Sequence, residues 1–220
     1  ASLRQALALK PDLAESHSNL GNTLQELGRL KDAEASHRKA IALKPDYAGA
    51  HSNLGGTLLK QTGRVSEALV SMQKSVALAP EDAEAHSNLG VTLQELGRLE
   101  EAEASYRQAI SLKPDFAEAH NNLGSTLQDL GRLEEAEASY RQAISLKPDY
   151  AEAHSNLGNT LKDLGRLEEA EAIYRQAIAL KPDFVEAHSN LGNTLRDLGL
   201  LEEAEASYRK RTEEHTSELQ

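Results

Sequence analysis

The chain has 220 residues, a formal net charge of −11, no cysteine, no tryptophan and 4% aromatic residues. Without cysteine there is neither a disulfide framework nor a thiolate metal site. The negative charge argues against nucleic acid, whose affinity comes largely from Lys and Arg neutralising phosphate, and against an anionic membrane surface. No apolar run approaches the roughly 18 residues a membrane span needs. Ala, Leu, Glu, Gln, Lys and Arg dominate, which predicts helices around a core of small side chains. A cytoplasmic location fits this composition.

In chain order, residues 1–10 (ASLRQALALK) read as a lone helix, with Leu3 and Ala6 on its apolar side. From there a period governs the sequence. The six prolines, Pro11, Pro45, Pro80, Pro114, Pro148 and Pro182, are spaced 34, 35, 34, 34 and 34 residues apart. Residues 83–114 recur at 117–148 with three changes. The resulting units are 14–47, 48–82, 83–116, 117–150, 151–184 and 185–210, with 1–13 as the second helix of a truncated unit. Unit 48–82 has one extra residue before Gly63, predicting a longer turn there. Met72 and Ser75 stand where other units carry Tyr and Ala.

Each unit predicts two helices. In 83–116 the first has His86, Leu89, Gly90 and Leu93 at i, i+3, i+4, i+7, one helical face. Gly97 stops it. The second buries Leu99, Ala102, Tyr106, Ala109 and Ile110. Glu103 and Arg107 form an i, i+4 pair on its wet side, and Lys113-Pro114 ends it. Small Gly90 and Ala102 predict close approach of the two backbones. One such pair cannot bury its own apolar face, so the units must stack.

These residues resemble the tetratricopeptide repeat. The pattern of a large residue, Leu-Gly, Tyr, Ala, Phe, Ala and Pro is met by His86, Leu89-Gly90, Leu93, Ala102, Tyr106, Ala109 and Pro114, with His for the usual Trp and Leu for the first Tyr. The likeness covers residues 1–210 and recurs six times. It implies an all-α, right-handed superhelical solenoid of antiparallel helix pairs. At Arg211 the register fails, and residues 211–220 resemble a translated sequencing-library adapter in nine of ten places. They are expected to be a non-native tail, the natural protein being longer at both ends.

Candidate chemistry is sparse. His17, His51, His86, His120, His154 and His188 lie in separate units, and stacked helices about 10 Å apart do not bring them within metal-bond lengths of about 2 Å. A packed His with a nearby hydrogen-bond partner is expected instead. The Glu runs lie on solvated helix faces, no catalytic motif is present, and no cofactor is implied.

The informative surface is the side of each first helix opposite its core stripe, which the resemblance makes a concave, ligand-binding groove. It carries Asn19, Asn53, Asn88, Asn122, Asn156 and Asn190 at one place in every unit, with Asn22, Asn159 and Asn193 three residues further on and Lys162 and Arg196 beyond them. An Asn amide both donates and accepts, so a row of them suits a peptide backbone. The row resembles the asparagine ladder in the repeat region of protein O-GlcNAc transferase. The alternative use of these amides is hydrogen bonding between neighbouring helices. A protein or peptide partner bound as an extended segment is therefore expected. The other expectation is a substrate-docking arm of a glycosyltransferase or sulfotransferase, with its catalytic domain beyond residue 210. Exposed repeat ends offer surfaces for self-association.

Overall fold

The computed structural model describes residues 13–217, with side chains to residue 210. The lone helix expected over 1–13 therefore falls on residues outside the described ones, as do the side chains of the tail. The described residues form twelve helices and no strand. They divide between Pro114 and Asp115 into two compact units of three antiparallel helix pairs each. The first contains α1 (Ala14–Glu26) with α2 (Leu30–Leu43), α3 (Ala48–Leu59) with α4 (Val65–Leu78), and α5 (Ala83–Glu95) with α6 (Leu99–Leu112). The second contains α7 (Ala117–Asp129) with α8 (Leu133–Leu146), α9 (Ala151–Asp163) with α10 (Leu167–Leu180), and α11 (Val185–Asp197) with α12 (Leu201–Ser217).

The turn inside each pair is a glycine stop. Gly97 has φ 69°, the left-handed region that side chains avoid. There the Gly97 N–H donates to the Gln94 carbonyl (2.8 Å) and the Arg98 N–H to the Leu93 carbonyl (2.9 Å), satisfying orphan carbonyls at the helix end. In the second pair the turn is longer. It runs from Leu59 to Val65, and Gly63 takes the left-handed conformation with φ 79°.

Between the two helices of a pair, the space left by the glycine is taken by a side chain. A Cβ on Gly90 would lie 2.7 Å from the ring of Tyr106, so the missing side chain makes room for an aromatic ring from the partner helix. Gly124, Gly158 and Gly192 face Tyr140, Tyr174 and Tyr208 in the same way, Gly55 faces Met72, and Gly21 faces the His37 ring. Gly158→Ala would place a methyl carbon 2.6 Å from a fully buried ring. Overpacking of this kind costs about 1–3 kcal/mol, and the better helix propensity of Ala returns only part of it. A net loss of about 1–2 kcal/mol in urea denaturation is expected.

Successive pairs lock together through the second helix of one and the first helix of the next. Ile41 packs against Leu54, Leu58 and Ala68. Four of the six histidines at the Trp position find a use here. Nε2 of His51, His86, His154 and His188 lies 2.9–3.1 Å from the carbonyl of Pro45, Pro80, Pro148 and Pro182 respectively, tying the first helix to the turn that precedes it. Lys147 and Lys181 lie 4.7 and 5.0 Å from the ring centroids of Tyr150 and Phe184 in that turn.

The two sides of each unit are held differently. Neighbouring first helices touch, α1 with α3, α3 with α5, α7 with α9 and α9 with α11, whereas among the described residues no second helices within a unit do so. The second helices are laced by long ion pairs instead. Arg64 binds Glu34 on α2, Arg166 binds Glu137 on α8 (2.6 Å), and Arg175 on α10 binds Glu203 on α12 (2.7 Å). The Arg64 guanidinium is the main cause holding the Glu34 carboxyl down at about 2. The first-helix face is thus the tighter, inner one of each unit.

Candidate functional site: the first-helix face

The backbone of this face is fixed by a residue overlooked in the sequence. Thr57, Thr92, Thr126, Thr160 and Thr194 are fully buried, and each donates its hydroxyl to the carbonyl four residues earlier, that of Asn53, Asn88, Asn122, Asn156 and Asn190. Thr57 and Thr160 also reach Gln25 and Gln128 of the preceding pair (2.7 and 3.1 Å). The signal was available, because Thr stands at this place in all six units.

The structure places the Asn row on this face and gives it neighbours. Asn53 donates to Ser18 Oγ (3.1 Å) and Asn88 to Ser52 Oγ (3.2 Å). Asn156 donates to Asn121 Oδ1 (3.1 Å) and Asn190 to Asn159 Oδ1 (2.9 Å). Asn122 instead accepts from Asn121 (3.3 Å). Asn19 is exposed on α1. The four bonds donated by Asn53, Asn88, Asn156 and Asn190 span one pair to the next, so these amides brace neighbouring first helices, whereas the Asn121–Asn122 bond stays within α7. Bracing uses one N–H of each donor. The second N–H and Oδ1 of Asn53, Asn88, Asn156 and Asn190 have no protein partner among the described residues.

Two other candidates look inward. Asn159 Oδ1 accepts from Tyr174 (2.6 Å) as well as from Asn190, and Asn193 Oδ1 accepts from Tyr208 (2.8 Å). They accept from the phenol of Tyr174, buried by the pairing described above, and from that of half-buried Tyr208. Where this place lacks Asn, Tyr106 and Tyr140 turn to Gln94 and Gln128 (3.3 and 3.4 Å). Asn22 is half-buried on α1. Lys162 and Arg196 converge on the Asp197 carboxylate at 3.7 and 3.5 Å, so these two cations carry a carboxylate between them. No group of three His, Asp or Glu that could hold a metal occurs among the described residues, and none of their helices is long and apolar enough to cross a membrane.

Comparison with known proteins fits this geometry. Family profiles described as Tetratricopeptide repeat match residues 14–47, 71–104, 115–183 and 155–213, and one described as TPR repeat matches 93–131. No curated protein sequence matches the chain. Among solved structures, a thermophilic TPR protein of Thermus thermophilus is 29% identical with TM-score 0.66, covering 83% of this chain and 98% of that one. YrrB, described as a TPR protein with an unusual peptide-binding site, is 24% identical with TM-score 0.65, covering 85% and 96%. PilF of Pseudomonas aeruginosa is 19% identical with TM-score 0.80, covering 90% and 89%. The chain belongs to the tetratricopeptide repeat family.

Proposed function

We propose that the chain is a protein-interaction scaffold whose first-helix face holds an extended peptide segment through the Asn row. One observation carries this reading: in Asn53, Asn88, Asn156 and Asn190 bracing consumes a single N–H and leaves a donor and an acceptor on the same face. A peptide offers the complementary C=O and N–H at every residue, whatever its sequence. The bracing bonds hold the amides in place before the peptide arrives, which lowers the entropy lost on binding. The resemblance to a repeat protein described as having a peptide-binding site supports the same reading. It applies equally to an array standing alone and to one that presents substrate to an attached catalytic domain. With Glu outnumbering basic residues on the second helices, the partner is a protein rather than nucleic acid.

The test is a titration of isotope-labelled protein with a randomised decapeptide pool, acetylated and amidated at its ends. The side-chain amide resonances of Asn53, Asn88, Asn156 and Asn190 are expected to shift. Those of Gln108, Gln142 and Gln176, exposed on second helices, are expected to stay. Shifts confined to the glutamines would sink the reading.

A further inference from the structure

Two adjacent glycines in the middle of α3 differ in what surrounds them. Gly55 is packed, with Met72 Cε 2.7 Å from where its Cβ would lie. Gly56 has no atom within 4 Å of that point and no left-handed φ. A helix-interior glycine is unfavourable relative to alanine, and neither crowding nor backbone conformation calls for one here. At the same place three other repeats carry an amide side chain, that of Asn22, Asn159 and Asn193.

On α9 the structure shows what an amide at this place meets. Asn159 Oδ1 accepts from Asn190 on the next first helix and from Tyr174 on its partner helix (2.9 and 2.6 Å). On α3 both neighbours are changed. Met72 stands at the tyrosine's place, and Asn88, the counterpart of Asn190, donates to Ser52 instead. Beside Gly56 lies a half-open cavity of about 160 Å³. Its exposed lining is mostly polar, with Gln25, Ser52, Asn53 and Asn88 contributing and no charged residue.

The hydrogen-bonding capacity of this lining is only partly used. Gln25 meets Thr57 through its oxygen, and its NH2 has no protein partner among the described residues. Ser52 accepts from Asn88, and its own O–H donates to no described residue. Asn53 and Asn88 each keep one N–H and Oδ1. A group that fits must therefore both donate and accept. A carboxylate has no donor and an ammonium no acceptor, and either would lose hydration without a counter-charge. An aliphatic side chain would leave the polar lining unpaired. A carboxamide carries two N–H donors and an acceptor oxygen on one planar group. Leu59, Met72 and Val91 form the rest of the wall, a surface for the methylenes of glutamine.

We infer that this cavity is a subsite for a glutamine side chain of the bound peptide. Its carboxamide takes the place that an Asn of the chain itself holds on α9. The carbonyl accepts from Gln25 and Ser52. The NH2 donates to Oδ1 of Asn53 or Asn88, whose second lone pair stays available to the peptide backbone. The assignment rests on the peptide-holding reading above and adds selectivity to it: main-chain hydrogen bonds give affinity, and a pocket chooses the side chain.

The experiment compares the native chain with Gly56→Asn, which supplies the missing carboxamide from the chain and for whose Cβ there is room. Each is immobilised and offered a positional-scanning decapeptide library. The native protein is expected to retain Gln sublibraries about tenfold better than Leu, Glu or Lys ones, the scale of roughly two net hydrogen bonds. Gly56→Asn is expected to reduce that preference below about twofold. Gly56→Val installs the residue α5 has at this place, bringing bulk without an amide, and carries the same expectation should Gly56→Asn not fold. Thermal melts check both variants. An unchanged preference in a folded variant, or a native preference for Leu or for a charged residue, overturns the subsite. Native retention without any preference overturns the subsite alone. Failure of the native protein to retain any peptide removes the groove reading and the subsite together.

Discussion

Between pH 7 and pH 5 the native chain is expected to lose about 2 kcal/mol of folding stability that a His37→Tyr variant keeps. His37 is fully buried in the slot that Tyr fills in four other units, and neither ring nitrogen has a hydrogen-bond partner. Burial disfavours the charged ring and pushes its pKa from 6.5 down to about 4. The unfolded chain therefore takes up a proton as pH falls below about 6.5, while the folded chain resists until about 4. The stabilisation is complete above the unfolded value and is lost progressively as pH falls toward the folded one. Glu34, with its folded pKa held at about 2, loses its stabilisation only in more acidic solution. Tyr is accommodated because Gly21 presents the same bare backbone to its partner helix as Gly90 does. Urea denaturation of both proteins at the two pH values measures the difference. An equal loss in both would show that some other group is responsible.

Replacing Asn122, Asn156 and Asn190 together by Ala is expected to weaken peptide binding ten- to a thousand-fold, three lost hydrogen bonds at roughly 0.5–1.5 kcal/mol each. Stability should fall too, because the same amides exchange bonds with Asn121 and Asn159. Binding is therefore compared with that of Asn121→Ala, which removes the bracing partner of Asn156 and leaves the three amides of the row. That variant should melt earlier yet bind within about threefold of native, since Asn122, Asn156 and Asn190 all keep the amides that face the peptide. Calorimetric titration with a peptide recovered from the randomised pool provides the affinities, at a temperature where all variants are folded. If Asn121→Ala weakens binding as much as the triple variant, the row is bracing and nothing more.

The period, the helix pairs and their limits were legible in the sequence because they rest on local rules. Glycine stops a helix, proline ends one, and an apolar stripe marks a face. Expecting a nearby partner for the His at the Trp position also needed no more than donor counting, although Pro80 as the partner of His86 did not follow from it. What escaped has a physical reason. The Asn53–Ser18 and Asn190–Asn159 bonds join residues 35 and 31 apart, where contact depends on how two stacked helices are staggered. No helical wheel of one unit contains that stagger. Asn159 and Asn193 show the consequence: the wheel put them on the groove side, but it could not show that the phenols of Tyr174 and Tyr208 arrive from the partner helix at the same place. The small residue Gly90 was legible as making room, but that the Tyr106 ring takes that room depends on how far a side chain reaches across from the partner helix.

The unequal fastening of the two sides gives each unit a mechanical character. Along the inner face, neighbouring first helices touch and are joined by buried threonines and shared amides, and separating those helices would break those hydrogen bonds. Along the outer face the fastenings are Arg–Glu pairs whose guanidiniums are partly exposed, each contributing about 0–1 kcal/mol and weakened by salt. Such a body is stiff on one edge and compliant on the other. It resists being pulled open along its first helices while tolerating changes in how far its second helices fan apart, and dissolved ions set how firmly that fan is held.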